Sequence, residues 1–201
     1  LYTLNLIDTP GHVDFSYEVS RSLAAVEGAL LIVDAAQGIQ AQTLAVAEQA
    51  QKQGLTLIPV INKIDLPAAD PERVADELIA TFGFKKDEMV LVSAKTGENV
   101  VAILDAIVER VPSPSGKVDS PFRARIFDSI YDTYRGVIAY IRVVDGTLLS
   151  GGTIHMMVAG KDAEALEIGY FSPKMTQGNR LSAGEIGYIV TNLKEVSLAS
   201  V

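Results

Sequence analysis

The sequence contains no cysteine and only two histidines. The absence of cysteine excludes disulfides and thiol chemistry, and nothing in the composition points to secretion. Two histidines without cysteine argue against a zinc site, because zinc takes cysteine or several histidine ligands. No apolar run approaches the roughly 20 residues of a membrane-spanning helix, and no signal-peptide pattern stands at the start. The 201 residues, 48% of them hydrophobic, are enough for one large or two small domains.

Positive charge is scarce in the first half of the chain. Residues 1–111 carry 8 Lys and Arg against 16 Asp and Glu, whereas residues 112–201 carry 9 of each. The net charge of −8 therefore lies entirely in the first half. An acidic domain does not attract nucleic-acid phosphates, which are bound by basic patches. Any contact with RNA is expected to be local and to use the second, neutral half.

Apolar runs alternate with helical patterns along the first 111 residues. Continuous apolar strands separated by helices predict an α/β fold with a doubly wound, mostly parallel sheet. The predicted strands are 1–8, 29–33, 55–61 and 89–92; the predicted helices are 17–27, 40–53, one from Asp70-Pro71 to Gly83, and one capped by Asn99.

The pattern changes at Val111. A linker rich in proline and serine, residues 112–121, cannot continue the preceding helix. Beyond it the hydrophobic period drops to two, and glycine turns such as Asp145-Gly146 recur. Short strands with glycine turns predict a small antiparallel β-barrel over residues 122–201. We expect two domains, residues 1–111 and 122–201, joined by the linker.

The first candidate site follows the first predicted strand and consists of Asp8, Thr9, Pro10, Gly11 and His12. Open α/β sheets place ligands at the carboxyl ends of their strands. Asp8 can hold Mg²⁺ through water, Gly11 lets a backbone N–H approach a terminal phosphate, and His12 can orient water. Phosphoryl transfer needs these parts. A strand-to-loop turn with an incidental histidine is the alternative for these residues taken alone.

A second polar motif, Asn62-Lys63-Ile64-Asp65, closes another apolar strand. The Asp65 carboxylate can accept hydrogen bonds from N1–H and the exocyclic amine of guanine. Adenine has no such amine, so Asp65 would be left unpaired and the site would reject it. Lys63 can lay its aliphatic stem over the base. A solvated turn is the alternative interpretation.

A third motif, Ser93-Ala94-Lys95, closes the strand predicted at 89–92. Ser93 can brace the loop, and the backbone N–H of Ala94 can reach guanine O6. Lys95 can cover the other face of the base. Three polar motifs that each end an apolar strand together favour a guanine nucleotide site.

For several other polar residues, the sequence favours a structural role or leaves one open. Asp34 ends a strand and is expected to form a turn, and His155 is expected to be a hydrogen-bonded structural histidine. Tyr131, Tyr134 and Arg135 form an aromatic and basic cluster, for which a surface or core role and RNA stacking both stay open.

In their order along the chain, the three motifs resemble the third, fourth and fifth consensus motifs of the P-loop GTPases. The run 8–15 is what translational GTPases carry. The runs 16–23 and 66–73, with 172–175 and 183–188 in the second half, are similar to the LepA, or elongation factor 4, family. This likeness covers essentially the whole chain. The elongation factor G and BipA families share the general motifs but fit these runs less well.

The resemblance implies a ribosome-dependent GTPase of elongation that promotes back-translocation or rescues stalled ribosomes. It implies GTP, GDP and Mg²⁺ as cofactors, and ribosomal RNA and ribosomal proteins as partners. The location would be the cytoplasm, with peripheral association with the inner face of the cell membrane as an open alternative. Asp8 would bind Mg²⁺ through water, Gly11 would sense the terminal phosphate and His12 would be the catalytic residue. The implied nucleotide-binding residues are Asp8, Thr9, Pro10, Gly11, His12, Asn62, Lys63, Ile64, Asp65, Ser93, Ala94 and Lys95.

The phosphate-binding loop of such proteins, Gly-x-x-x-x-Gly-Lys-Ser/Thr, is absent from the sequence, as is the switch threonine. We therefore expect an N-terminally truncated GTPase sheet that is inactive by itself, or a non-catalytic ribosome-interaction module. In GTPases of this type the phosphate-loop strand lies between the strands that end here at Asp8 and Asp34. Its absence predicts two exposed strand edges, which we expect to pair within the chain or with a second copy.

Overall fold

The computed structural model describes residues 2–9 and 15–199 of the chain. The chain divides into two units, one formed mainly by residues 8–112 and the other by residues 113–201 together with residues 3–7. Each unit contains its own hydrophobic core. Within the described residues, no helix is both long and apolar enough to cross a membrane.

The first unit is built from strands and helices in alternation. Its elements are α1 (Ser16–Leu23), β1 (Gly28–Asp34), α2 (Ala41–Lys52), β2 (Thr56–Asn62), α3 (Pro71–Phe82), β3 (Val90–Val92) and α4 (Val101–Arg110). In the described part of the chain, these strands form a parallel sheet of order β1-β2-β3. The predicted α/β class with a parallel sheet is confirmed.

Helices cover both faces of this sheet. The strands direct buried side chains to each face in alternation, so each face has its own core. One core joins Leu31 and Ile61 of the sheet to α2 and to Leu78 of α3. The other joins Ile58 and Val60 to α4. Successive residues of a strand point to opposite faces, so one strand supplies both cores. The sheet is therefore doubly wound, as predicted.

Helix α3 begins and ends where the sequence predicts. The Asp70 carboxylate accepts a hydrogen bond from the Arg73 N–H at 3.1 Å, and Pro71 occupies the first helical position. Gly83 ends the helix in a left-handed conformation, with φ of 75°. Two local signals at the ends of this segment therefore determine its bounds.

The cap predicted for the last helix is wrong. Asn99 adopts a left-handed φ of 57°, and α4 begins at Val101 without a side-chain cap. The Asn99 side-chain amide instead donates to the carbonyl of Leu91 at 2.8 Å. Asparagine tolerates the left-handed conformation, so a tertiary hydrogen bond competes with the capping role.

The strand predicted at 1–8 is also wrong over its described part. Residues 2–9 form no strand, and the side chains of Tyr2, Leu4 and Leu6 are exposed. Among the described residues, β1 pairs only with β2, so the expected closure of strand edges within the chain is not observed. An apolar run becomes a strand only where a neighbour completes its hydrogen-bond ladder.

The second unit is antiparallel. It contains β4 (Arg123–Asp132), β5 (Gly136–Asp145), β6 (Thr147–Leu149), β7 (Thr153–Met156), β8 (Lys161–Ser172), β9 (Lys174–Gly178), β10 (Arg180–Ser182) and β11 (Ile186–Thr191). Over the described residues, one sheet has the order β4-β5-β11-β8-β7, with β9 paired to β8, and β6 pairs with β10. This half-barrel curls around a core that takes Val137, Ile141 and Val143 from β5. The predicted small antiparallel barrel is confirmed in this form.

Candidate functional site

Three polar positions meet at the carboxyl edge of the parallel sheet. Asp34 is the last residue of β1, Asn62 is the last residue of β2, and Ser93 follows β3. In the strand register Asp34 lies opposite Asn62, and Asn62 lies opposite Val92. The second and third polar motifs are therefore neighbours at the edge where open α/β sheets place ligands.

Ser93 holds the carboxylate of Asp65. Its hydroxyl donates to Asp65 Oδ1 at 2.6 Å and accepts the Thr96 N–H at 3.2 Å. Ser93 is fully buried, whereas Asp65 is half-buried. A buried hydroxyl with both a donor and an acceptor partner has little freedom to rotate. The Asp65 carboxylate therefore has a defined orientation at the surface of the unit.

Asn62 links the two motifs through its side-chain oxygen. Asn62 Oδ1 accepts the N–H of Lys63 at 2.8 Å and the N–H of Ala94 at 3.0 Å. The Ala94 N–H, which is predicted to reach guanine O6, is thus paired within the chain. A ligand that uses this donor has to share or replace the bond to Asn62.

Lys63 stands in an unusual backbone conformation, with φ of 67°. Such a conformation costs about 1–3 kcal/mol and persists only where its surroundings determine it. Here the next amide, Ile64 N–H, donates to the carbonyl of Val92 at 3.3 Å, and Leu66 N–H donates to the carbonyl of Lys63 at 3.1 Å. The Lys63 ammonium lies 2.7 Å from Asp34 Oδ2.

Asp34 forms a turn, as predicted from the sequence. Its Oδ1 accepts the N–H of Ala36 at 2.8 Å and the N–H of Gln37 at 3.2 Å. The hydrogen bond from Lys63, followed by the one from Ala36, lowers the pKa of the Asp34 carboxyl below its ordinary value of 3.8. The ion pair with Lys63 was not predicted, although each of the two residues closely follows a predicted strand.

Helix α3 supports the loop that follows β1. The Arg73 guanidinium donates to the carbonyl of Ala36 and pairs with Glu77, whose carboxylate accepts the N–H of Ile39. A Cβ on Gly38 would lie 2.5 Å from the Glu77 carboxylate, and Gly38 has φ of 73°. Glycine is therefore required there. This support was also missed by sequence reasoning, since it joins residues 37 positions apart.

The first motif is only partly described. Asp8 is exposed and Thr9 is half-buried, while Pro10, Gly11 and His12 lie outside the described residues. Within the described ranges, no group of three or more histidine or acidic residues could hold a metal ion. The Asp65 carboxylate presents hydrogen-bond acceptors, and the exposed carboxylate of Asp8 has room for a water molecule through which it could hold Mg²⁺.

The remaining site residues occupy ordinary positions. Ile64 is partly buried against the core shared with α2 and α3, and Lys95 is exposed. In the second unit, His155 Nδ1 lies 2.7 Å from Asp162 Oδ1, so this histidine is hydrogen-bonded as expected.

The aromatic and basic cluster of the second unit separates into two environments. Tyr134, in the turn between β4 and β5, is 97% exposed, and Tyr131 is also exposed. The Arg135 guanidinium instead pairs with Glu167 and lies 5.6 Å from the ring centre of Tyr188. Arg135 therefore belongs to the packed sheet rather than to a joint surface with the two tyrosines.

Comparison with known proteins places the sequence of this chain in a family. Residues 1–113 match the family model described as "Elongation factor Tu GTP binding domain". Over 195 residues, 97% of this chain, the sequence is 58% identical to elongation factor 4 of Thermobifida fusca. It is 56% identical over the same share to elongation factor 4 of Bacillus cereus and of Bacillus anthracis. The chain spans about a third of the length of these relatives, 32% in each case.

Neutralising Asp34 is expected to reduce stability at neutral pH but not in acid. Because the folded pKa lies below 3.8, the stabilisation is present above that pH and is lost as pH falls through the folded pKa. We expect Asp34→Asn to destabilise the first unit by about 1 kcal/mol at neutral pH. Urea titrations followed by NMR signals of β1 and β2 measure this.

Glu48→Gln is the matched control, since Glu48 pairs with Lys52 at 3.6 Å and both side chains are mostly exposed. Its effect should stay below about 0.5 kcal/mol. A difference between wild type and Asp34→Asn that is equally large in acid would contradict the assignment of the lowered pKa.

Proposed function

The chain belongs to the elongation factor Tu GTP-binding domain family, and from this premise we propose that its first unit binds the guanine base of GTP or GDP. The observation that carries the proposal is the carboxylate of Asp65, held by buried Ser93 at the carboxyl edge of a parallel sheet. Asn62 stands beside it and joins the two loops. The two oxygen atoms of the oriented Asp65 carboxylate match the two N–H donors of guanine, at the edge of the sheet where such folds place ligands.

Each residue of the site has a proposed task. Asp65 accepts from guanine N1–H and the exocyclic amine, and Ser93 keeps it oriented. The aliphatic stem of Lys63 covers one face of the base and that of Lys95 the other. Ala94 N–H passes from Asn62 to guanine O6 when the base binds. Ile64 anchors the loop in the core.

For the whole protein we propose ribosome-dependent GTP hydrolysis in elongation, of the back-translocation or stalled-ribosome type. The identity to elongation factor 4 along 97% of the chain supports this over a protein of the elongation factor G or BipA type. Asp8 would hold Mg²⁺ through water, and bound Mg²⁺ would neutralise phosphate charge. Thr9, Pro10 and Gly11 would line the phosphate side, and His12 would orient water.

The proposed organisation follows the same family. Residues 1–111 would be part of the GTP-binding domain, 112–121 a linker, and 122–201 the following barrel domain, which would contact ribosomal RNA and proteins. The protein would act in the cytoplasm. Peripheral association with the inner face of the cell membrane is the alternative location.

Base specificity tests the proposed guanine site. Wild-type chain should bind GMP better than AMP, seen as shifts of the Asp65 and Ala94 amide signals in NMR titrations. Asp65→Asn replaces an acceptor with a donor, so it should weaken GMP binding about tenfold or more and favour XMP, whose C2 oxygen accepts. Equal binding of GMP and AMP by the wild type would refute the proposal.

Hydrolysis by the 201-residue chain is expected to be negligible. The sequence contains no phosphate-binding loop, so no lysine and amide nest would hold the β- and γ-phosphates for transfer. Phosphate release from GTP and Mg²⁺ should equal that of buffer, and a ribosome-interaction role without chemistry would then describe this chain. Appreciable Mg²⁺-dependent turnover by the pure chain would show the expectation to be wrong.

We also propose that two copies pair along β1. In the described residues β1 has a strand neighbour on one side only, and Ile32 is 57% exposed. Analytical ultracentrifugation should detect a concentration-dependent dimer that Ile32→Lys weakens, because a lysine on an edge strand opposes pairing. A monomer at all concentrations would exclude this partner.

A further inference from the structure

The two carboxylate oxygens of Asp34 serve different partners. Oδ1 accepts the N–H groups of Ala36 and Gln37 and so forms the turn after β1. Oδ2 instead faces the Lys63 ammonium at 2.7 Å. Because the turn uses one oxygen, the contact of the other oxygen with Lys63 is not required for the local fold.

Lys63 would be expected to be disordered without this contact. Its side chain is 53% exposed, and a surface lysine gains little from most ion pairs while losing several freely rotating bonds. The Asp34 side chain, by contrast, is only 16% exposed and is held by two backbone hydrogen bonds. Because the Asp34 carboxylate is already fixed, only the lysine loses conformational entropy when the ion pair forms. Asp34 can therefore act as an anchor for the Lys63 ammonium.

Asp34 lies on the strand next to the one that leads into Lys63. Asp34 and Asn62 are partners in the β1–β2 register, and Lys63 is the residue that follows Asn62 in the chain. The left-handed backbone of Lys63 and the hydrogen bond from its N–H to Asn62 Oδ1 fix the start of the side chain. Asp34 fixes its end, so the aliphatic stem is restrained at both ends.

We propose that Asp34 is a positioning residue for nucleotide recognition, which holds the Lys63 ammonium so that the Lys63 stem is ordered before a purine base stacks on it. The inference rests on the proposed guanine site and extends it by a residue on a different strand. The anchored stem spares the ligand the entropy loss of ordering a flexible side chain. The lowered pKa of Asp34 agrees with a carboxylate that stays ionised in this role.

A double-mutant cycle on the whole 201-residue chain tests the proposal, with GMP as the probe and NMR titration as the measurement. Asp34→Asn keeps an oxygen for the turn but loses the anchor, and asparagine forms the same kind of turn. We expect it to weaken GMP binding about threefold to tenfold, the cost of ordering one long side chain. Lys63→Met keeps an unbranched stem without the ammonium and should weaken binding to a similar degree.

GMP binding by the double variant is the decisive measurement. If Asp34 acts through Lys63, adding Asp34→Asn to Lys63→Met should cause no further loss. A further loss of the same size as in the wild-type background would mean that Asp34 acts through the turn alone, and it would overturn the inference. Tighter GMP binding by Asp34→Asn would overturn it too, because the ion pair would then withhold Lys63 from the base.

Controls separate this inference from the proposed function. Glu48→Gln removes an exposed carboxylate from α2 and should leave GMP binding unchanged. Asp34→Glu retains the charge and should lose less than Asp34→Asn, which guards against loss of folding in one variant. A wild-type chain that binds GMP no better than AMP contradicts the guanine site itself, and with it the inference. A wild type that prefers GMP, with Asp34→Asn unchanged, contradicts the role of Asp34 alone.

Discussion

The in-register parallel pairing of β1, β2 and β3 is the constraint on which the candidate site depends. It places Asp34 opposite Asn62 and Asn62 opposite Val92. Because side chains alternate along a strand, a slip of one residue would turn every one of them to the other face. The two cores on the faces of the sheet prevent such a slip, since Ile58 and Val60 fill one core while Ile61 fills the other.

The polar groups at this edge are paired with one another. Ser93 donates to Asp65, Asn62 accepts from Ala94, and Lys63 reaches Asp34. Buried or half-buried polar groups need such partners, because an unpaired one costs about 1–3 kcal/mol. These contacts within the chain therefore order the two loops at this edge of the sheet without a ligand.

Sequence reasoning succeeded where local signals and burial agreed. Asp70, Pro71 and Gly83 predicted the bounds of α3, and alternation of apolar runs predicted the parallel sheet and its helical covers. It failed where a distant partner decided the outcome. Asn99 adopts a left-handed turn and bonds Leu91, and Arg73 reaches Ala36 across 37 positions. Neither contact leaves a periodic pattern in the sequence.

The sequence by itself determined the order and chemistry of the motifs, the division between helical and two-residue periods, and the family to which the chain belongs. These properties follow from residue type and spacing, which are local. Only the tertiary structure decided that residues 2–9 form no strand, and that Asp34 holds Lys63. A strand needs a neighbour to complete its ladder, and an ion pair needs two chain segments brought together, so both depend on contacts that spacing alone does not specify.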